Sequence, residues 1–228
     1  MGKDSFASHY KGDAGDKYSK GRGQNVLNHL GYELQKKFFI PYLKKNMHVL
    51  DFGCGNGSLA KALEPYVASI EGIEINKYPR KLAINENHIE VYGSLDLLPD
   101  TKKYDAIISD HVLEHIPNVI DSLKIIYTHI SPGGLFITML PIDDFRSKVN
   151  REWRANDENH HLHTWTPLLF GNTLSEAGFI PKELKIVAHA WTPKLFFLGD
   201  TWIQSVACYI LSIYLNSRQL FAVAVKSE

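Results

Sequence analysis

The chain has 228 residues, in which 25 lysines and arginines balance 25 aspartates and glutamates. A formal net charge of zero lacks the basic excess of a nucleic-acid-binding domain, so we expect no nucleic-acid partner. Cys54 and Cys208 are too few for a disulfide framework, and the polar stretch 1–20 holds no apolar signal segment. We therefore expect a cytoplasmic location and, from the length, one domain.

The N-terminal part of the chain predicts a helical cap. Residues 1–23 are rich in glycine, lysine, serine and aspartate, which predicts a loose start. Tyr10 and Tyr18 interrupt this polarity, so we expect the later part of the stretch to fold over a site. From Gln24 to Lys45 apolar residues recur at helical spacing until Pro41 breaks the pattern, which predicts one or two helices beside a sheet.

The stretch from His48 to Ala60 organises the rest of the chain. An apolar run that contains Asp51 predicts a buried parallel strand, and glycines at 53, 55 and 57 allow the backbone to approach a ligand closely. A helix predicted over 58–64 points its N-terminal amides into the same crevice. The pattern predicts a nucleotide-type cradle at the carboxyl end of the first strand, with an empty tight turn as the alternative.

Two acids refine this prediction. The glycines, read from Gly55, also fit a loose dinucleotide fingerprint. Asp51 precedes them, however, where its carboxylate repels a pyrophosphate and suits a cation. Glu74 stands 23 residues further on, after the predicted second strand. A carboxylate there can accept hydrogen bonds from both hydroxyls of a ribose.

Further strands alternate with helices along the chain. They are predicted over His88–Tyr92, Tyr104–Ser109, Leu135–Leu140, Pro181–Ala190 and Gln219–Lys226. Helices are predicted over 76–86 and 119–129, and Ser131–Gly134 predicts a turn. Because strand and helix alternate, the connections are right-handed crossovers and the sheet is mainly parallel.

The segment 195–215 is strongly apolar. Asp200 and Gln204 interrupt it, and the remainder is shorter than the roughly 20 apolar residues of a membrane span. We expect a helix that packs on the domain and roofs an acceptor pocket. Contact with a membrane surface is the alternative.

Three motifs resemble those of one enzyme family. The apolar run with Asp51 and its three glycines resembles motif I of the class I S-adenosylmethionine (SAM) methyltransferases. The run Leu113-Glu114-His115 resembles motif IV of the small-molecule branch of that family. The turn Pro132-Gly133-Gly134 before an apolar strand is a further feature of it.

The resemblance implies an α/β, Rossmann-like fold with a seven-stranded, mostly parallel sheet, helices on both faces and an antiparallel C-terminal hairpin. It also implies S-adenosyl-L-methionine as the cofactor. The single domain 1–228 then divides into a helical cap (1–46), a SAM-binding core (47–140) and an acceptor side (141–228).

The residues that this resemblance assigns to SAM are Asp51, Gly53, Cys54, Gly55, Gly57, Glu74, Ile75, Ser94, Leu95, Asp96, Asp110, His111 and His115. The family has an aspartate near the adenine where this chain has Ser94. Asp96, or the backbone of Ser94 and Leu95, is expected to take over that contact. Arg22 either meets the SAM carboxylate or is solvated.

The sequence leaves more than one possible role for several histidines. We expect His111 to open a helix that faces the crevice and His115 to lie one turn on, on the same helix face. Packing of that helix is the alternative role for His115. His161, His163 and His111, in this order, are the candidates for a general base, because imidazole titrates near neutral pH.

The polar stretch 141–165 is expected to serve the acceptor, because long irregular insertions at strand ends often carry function. The predicted acceptor contacts are Arg154, His161, His163 and Trp165. A metal site is the second interpretation, built from His160, His161 and His163 with Asp143 or Asp157. The spacing His-His-x-His is not a usual ligand pattern, so we predict no metal. Loop closure above a helix capped by Thr166 is the third interpretation.

Together the motifs predict a SAM-dependent methyltransferase that acts on a small-molecule, sugar or lipid-like acceptor, most readily at oxygen. The identity of the acceptor stays open among a sugar, a lipid, a quinone-like phenol and a small acid. A catalytically silent SAM-binding subunit and an NAD-dependent oxidoreductase are the alternatives.

Overall fold

The computed structural model describes residues 10, 12–21, 26–143, 150–155, 157, 159–187, 193–199, 201–215 and 217–228. Arg22 lies outside these ranges, and its role stays a prediction. The strands are β1 His48–Phe52, β2 Ser69–Ile73, β3 Glu90–Tyr92, β4 Tyr104–Asp110, β5 Ile130–Pro141, β6 Ile180–Val187 and β7 Gln219–Val225. The α-helices are α1 Gly12–Gly21, α2 Val26–Gln35, α3 Ser58–Leu63, α4 Lys77–Asn85, α5 Val119–His129, α6 Pro167–Glu176 and α7 Trp202–Leu215.

These strands form one mixed sheet in the order β3-β2-β1-β4-β5-β7-β6. The pairs from β3 to β5 are parallel, and β7 pairs antiparallel with both β5 and β6. This confirms the predicted fold class. The chain order reverses at β1, which has β2 on one side and β4 on the other, so a crevice opens at the carboxyl ends of these strands.

The two faces of the sheet bury separate cores. On β1, Val49 packs in a cluster with Phe39 and Leu63, whereas Leu50 packs in the opposite cluster with Leu123 of α5. All five side chains are fully buried. Because successive strand residues point to opposite faces, a strand covered on both sides must be apolar at every position. This rule makes the buried carboxylate of Asp51 in the same strand exceptional.

The segment after β4 is not the predicted helix. Leu113–His115 forms a short 3₁₀ turn, and His111 has a left-handed backbone with φ of 54°. A right-handed helix cannot pass through such a residue. The prediction that His111 and His115 share a helix face is therefore wrong.

The predicted turn Ser131–Gly134 lies inside β5 as a bulge. Pairing with β4 jumps from Tyr104 opposite Ile130 to Ala106 opposite Leu135, so β5 carries extra residues there. The N–H of Gly133 donates to the carbonyl of Lys226 at 3.1 Å, and the N–H of Lys226 donates to the carbonyl of Gly134 at 3.0 Å. The backbone of Lys226, the residue after β7, thus supplies hydrogen-bond partners for the N–H of Gly133 and the carbonyl of Gly134 in the bulge.

The segment 195–215 forms two pieces instead of one helix. A 3₁₀ turn over Pro193–Leu198 precedes α7, which buries the narrow stripe Gln204, Cys208 and Ser212. Trp202 and Tyr214 remain 76% and 85% exposed. The expectation that this helix packs its apolar surface on the domain is wrong for most of that surface. None of the helices in the described ranges combines the length and apolar composition that a membrane span requires.

Candidate active site

Three carboxylates meet at the carboxyl ends of the central strands. Asp51 lies near the end of β1, Asp110 ends β4, and Glu74 follows β2. Because β1 lies between β2 and β4, these side chains converge on the crevice at the point where the strand order reverses. Asp51 and Glu74 are buried, and the side chain of Asp110 is 11% exposed.

The glycine loop after β1 forms one wall of the crevice. The N–H groups of Gly53 and Cys54 both donate to the carbonyl of Ile73 at 2.9 Å. The three loop glycines have left-handed φ angles between 56° and 81°. A Cβ at Gly53 would lie 2.4 Å from a methyl carbon of Val112, whereas a Cβ at Gly55 would meet nothing within 4 Å. The loop is tightly packed on its inner side and open at Gly55, where a ligand can approach the backbone.

Cys54 and Gly57 tie this loop to its neighbours. The Sγ atom of Cys54 packs against Gly72 of β2, where a Cβ would come within 2.4 Å of it. Gly57 is the N-cap of α3, and a Cβ there would lie 3.0 Å from the Cβ of Ala83. Burial raises the pKa of the Cys54 thiol well above its usual range, so the thiol is neutral and its side chain is a packing group.

Asp51 is the least satisfied acid of the crevice. Its side chain is buried, and Oδ2 accepts no hydrogen bond from the part of the chain that the structure describes. Burial raises the pKa of Asp51 well above its usual range, and the charges of Asp110 and Glu74 raise it further. A buried polar atom without a partner is costly unless a ligand satisfies it. A cationic amino group is a ligand group that would satisfy this acid, because it offers both a hydrogen-bond donor and a positive charge.

Glu74 is held in place by the backbone. Its carboxylate accepts the N–H of Gly55 at 3.1 Å through Oε2 and the N–H of Asn76 at 2.7 Å through Oε1. Burial raises the pKa of Glu74 to about 7, although these two hydrogen bonds and the charge of Arg80 oppose the rise. Each carboxylate oxygen has a further lone pair, which leaves room for the two hydroxyls of a ribose.

Asp110 and His111 form the opposite side of the crevice. Oδ1 of Asp110 accepts a hydrogen bond from Nε2 of Gln35 at 2.6 Å and lies 2.9 Å from Nδ1 of His111. The other ring nitrogen of His111 lies 3.3 Å from Nε2 of Gln219. Residues from α2, β4 and β7 therefore hold His111 at the crevice, even though the predicted helix is absent.

The segment predicted to contact the adenine follows β3. Ile75 is partly buried next to Glu74, and Ser94 is the extended residue before a 3₁₀ turn over Leu95–Leu97. Leu95 packs in the core beside α5, whereas Asp96 is exposed. Asp96 is thus poorly placed to replace a buried aspartate, and the backbone of Ser94 is the better candidate for that contact.

A second polar cluster lies beyond Asp110, towards the acceptor side. Glu114 is fully buried, and one of its oxygens lies 3.7 Å from Nε2 of His115. The rings of His115 and His161 are 4.9 Å apart, centroid to centroid. Burial raises the pKa of Glu114 to about 7; His111 and His161 oppose the rise, and Asp110 adds to it. These mutual charges show that the cluster adjoins the cofactor crevice.

Asp143 and Tyr10 enclose this cluster. Nδ1 of His161 contacts Oδ2 of Asp143, and the ring of Tyr10 lies 4.1 Å from that of His115, centroid to centroid. Burial by itself would raise the pKa of Asp143, but the hydrogen bond and charge of His161 outweigh it and lower the pKa. Tyr10 therefore lies against this cluster, and the cover of a site by the N-terminal stretch stays a prediction.

The other predicted acceptor residues lie elsewhere. Nε2 of His163 is 2.9 Å from the carbonyl oxygen of Ile116, and its ring stacks on Trp165. Arg154 is exposed and pairs with Asp157 at 3.4 Å. Neither His163 nor Arg154 belongs to the group that Glu114, His115 and His161 form.

Sequence reasoning missed two residues of this arrangement. Glu114 was noticed only as part of a family motif, although a glutamate within an apolar run is a signal of a buried functional acid. The hydrogen bond from Gln35 to Asp110 is not predictable from the sequence. A helical repeat does not indicate which of its polar residues will contact the end of a strand 75 residues away.

Comparison with known proteins places the chain in a family. Residues 29–182 match the family model described as a methyltransferase domain. The chain is 31% identical over 120 residues to the ubiquinone biosynthesis O-methyltransferase of Coxiella burnetii (strain Dugway 5J108-111), which covers 49% of the chain and 47% of that relative. It is 26% identical over 192 residues to the protein of that name from Rickettsia typhi (strain ATCC VR-144 / Wilmington), which covers 78% of the chain and 69% of that relative. The chain thus spans about half the length of several curated relatives it matches.

Solved structures agree on the fold. A methyltransferase bound to the Trm112 activator of Haloferax volcanii superposes with a TM-score of 0.68 at 18% identity, over 93% of the chain and 97% of that protein. A SAM-dependent methyltransferase of Archaeoglobus fulgidus has a TM-score of 0.60 at 21% identity, over 87% of the chain and 94% of that protein.

The chain therefore belongs to the methyltransferase domain family, and its fold is that of the class I SAM-dependent methyltransferases. This confirms the predicted family and the cofactor that membership of it implies, S-adenosyl-L-methionine. The family match favours a methyltransferase over the NAD-dependent oxidoreductase that the glycine pattern alone left open.

Proposed function

We propose that this protein transfers the methyl group of SAM to an oxygen of a small-molecule acceptor. The observation that carries the proposal is the cluster of buried Glu114, buried His115 and partly buried His161, with Asp143 behind it, beside the three-carboxylate crevice. In this proposal the crevice holds SAM, and His161 is the residue through which the acceptor hydroxyl loses its proton.

The crevice residues divide the binding of SAM among them. Asp51 would pair with the amino group, Glu74 would accept the ribose hydroxyls, and the open backbone at Gly55 would admit the methionine part. Asp110 and His111 would complete the opposite side of the crevice. These roles follow from the burial of Asp51 and from the spare lone pairs of Glu74.

Methyl transfer needs little chemistry from the protein once the reactants are aligned. The acceptor oxygen attacks the methyl carbon as the carbon–sulfur bond breaks, and the electron pair passes to sulfur, which becomes a neutral thioether. A hydroxyl must lose its proton for this attack, and an imidazole oriented by a carboxylate is suited to accept it. Asp143 orients His161 in this way.

A phenol on an apolar molecule is the acceptor class that we favour. Two matched relatives are named ubiquinone biosynthesis O-methyltransferases. Helix α7 carries no charged residue, and Trp202, Tyr209, Ile210 and Tyr214 on it are each at least 55% exposed. Such a surface favours contact with a lipid surface from which an apolar acceptor can be drawn. Replacing Trp202 and Tyr214 by serine should lower the fraction of protein that sediments with phosphatidylcholine vesicles.

The test of the function uses SAM with a labelled methyl group. An alkylated catechol should become labelled at oxygen, whereas methyl glucoside should not. His161→Gln should lower turnover at least 100-fold with SAM affinity within twofold of wild type, because His161 lies outside the SAM crevice. His160→Asn, an exposed neighbour whose left-handed backbone asparagine tolerates, is the matched control and should retain wild-type turnover.

The outcomes separate the candidate functions. Labelled product that disappears in His161→Gln but not in His160→Asn supports the proposal. Loss of SAM affinity in His161→Gln would assign this residue to the cofactor site. If SAM binds but no acceptor in a metabolite extract is labelled, the alternative of a silent SAM-binding subunit replaces the proposal.

A further inference from the structure

Glu114 is the most unusual side chain of the acceptor side. It is fully buried, and neither of its carboxylate oxygens accepts a hydrogen bond within the described ranges. A buried carboxylate in this position is strongly unfavourable unless a cation or a donor satisfies it. The 3₁₀ turn therefore buries the Glu114 carboxylate in a position where a cation would satisfy it.

Two imidazoles complete a ligand set around this carboxylate. One ligand atom each of Glu114, His115 and His161 lies within 4.8 Å of the other two. Ligands that share one metal ion about 2 Å from each lie at most about 4 Å apart, so the widest separation in this group must close by roughly 1 Å when an ion binds. The three residues come from two segments, the 3₁₀ turn after β4 and the stretch before α6, so the tertiary structure assembles the group.

Asp143 gives His161 the orientation of a metal ligand. Nδ1 of His161 contacts the Asp143 carboxylate, which leaves Nε2 for coordination. A carboxylate that accepts the far ring N–H is the usual outer partner of a metal-binding histidine, because it sets the tautomer and raises the basicity of the ligating nitrogen. The backbone N–H of Asp143 in turn donates to the Thr164 hydroxyl at 3.0 Å, which fixes the position of this residue.

We infer that Glu114, His115 and His161 bind one divalent first-row transition-metal ion, with Asp143 as the outer partner of His161. Two nitrogens and one carboxylate suit such ions, whereas magnesium and calcium prefer oxygen ligands throughout. Three protein ligands also leave positions open for a further ligand, as in catalytic sites and unlike closed structural sites.

The role of the ion rests on the proposed function, but its binding does not. With the ion present, Nε2 of His161 is a ligand, and the acceptor hydroxyl occupies an open position on the ion. Coordination lowers the pKa of that hydroxyl, so its proton leaves to water before the oxygen attacks the methyl group. His161 then acts through the ion instead of as a free base.

The binding test uses Co²⁺ alone as the probe, because its visible absorption reports nitrogen and oxygen ligands. Tag-free protein, freed of metal by a chelator, is titrated with Co²⁺. We expect one saturable equivalent and visible absorption bands. His161→Gln should abolish the bands, and Asp143→Asn should weaken binding 10-fold to 100-fold as an outer partner does. His160→Asn is the matched control and should bind as wild type does.

Calorimetry with SAM on each variant shows that its fold is intact. A wild-type protein that binds SAM but takes up no Co²⁺ overturns the site, as does equal Co²⁺ binding in His161→Gln. Co²⁺ binding without methyl transfer in the presence of Mn²⁺ or Co²⁺ leaves the site standing and refutes the proposed function. Methyl transfer that survives a chelator with His161 intact refutes the catalytic role of the ion and leaves the proposed function in place.

Discussion

Replacing Glu74 removes the carboxylate that we place under the ribose of SAM. Glu74 already accepts backbone N–H groups of Gly55 and Asn76, at 3.1 and 2.7 Å, so its oxygens are held still before the ligand arrives. Hydrogen bonds to a charged group contribute about 1.5–3 kcal/mol each, and part of this is offset by desolvation. We therefore expect Glu74→Ala to weaken SAM binding by about 2 kcal/mol, roughly 30-fold in Kd.

The same residue predicts how SAM affinity depends on pH. Burial raises the pKa of Glu74 to about 7 in the unliganded protein, and ribose hydroxyls that donate to it favour the ionised form. The affinity of the wild-type protein should thus be constant above pH 7 and fall about tenfold per unit below it. Glu74→Gln cannot ionise, so its affinity should lack this component of the pH profile.

Isothermal titration with SAM between pH 5.5 and 8.5 measures both effects. Glu71→Gln is the matched control, because Glu71 lies on β2, the strand that Glu74 follows, but pairs with Lys102 at 2.6 Å. Its affinity and pH profile should equal those of the wild type. The reasoning fails if Glu74→Ala binds SAM within threefold of the wild type, or if Glu74→Gln keeps the wild-type pH profile.

Three further predictions concern stability. Because the folded protein raises the pKa of Glu74 from 4.5 to about 7, its stabilising contribution is complete below pH 4.5 and is lost as the pH rises to 7. The Tm of the unliganded wild type should therefore fall relative to Glu74→Gln over that interval. Gly53→Ala should lower the free energy of unfolding in urea by about 3 kcal/mol, and Gly55→Ala by about 1, because only the first adds a clash to the backbone strain. Thr166→Ala should cost about 1 kcal/mol in the same assay, because its hydroxyl accepts the N–H of Leu169 at 3.2 Å; no change would refute the cap.

The cofactor side of the site was predictable because its signals are local. Asp51 and the loop glycines are adjacent in sequence, and Glu74 follows the next strand, so motif spacing alone brings them to one crevice. Thr166 before Pro167 likewise announces the start of α6, which the structure confirms. Apolar patterns predicted the strands of the sheet, although β5 begins at Ile130 instead of the predicted Leu135 and includes the residues predicted as a turn.

The acceptor side was harder to predict because its contacts join distant segments. The chain does not reveal that His111 adopts a left-handed backbone, since the surrounding pattern also fits a helix. The sequence also does not show that α7 buries Gln204, Cys208 and Ser212 and leaves most of its apolar side chains exposed. The apolar face of an amphipathic helix ordinarily packs on the core.

The amino-acid order by itself determined the strand sequence, the glycine loop and the acids beside it, because neighbouring residues specify a turn and a strand end. Only the tertiary structure decided that buried Glu114 and His115 meet the partly buried His161 and that Asp143 contacts His161. The physical reason is that a buried carboxylate without donors is tolerated only within a whole packed fold, whose distant segments decide its neighbours.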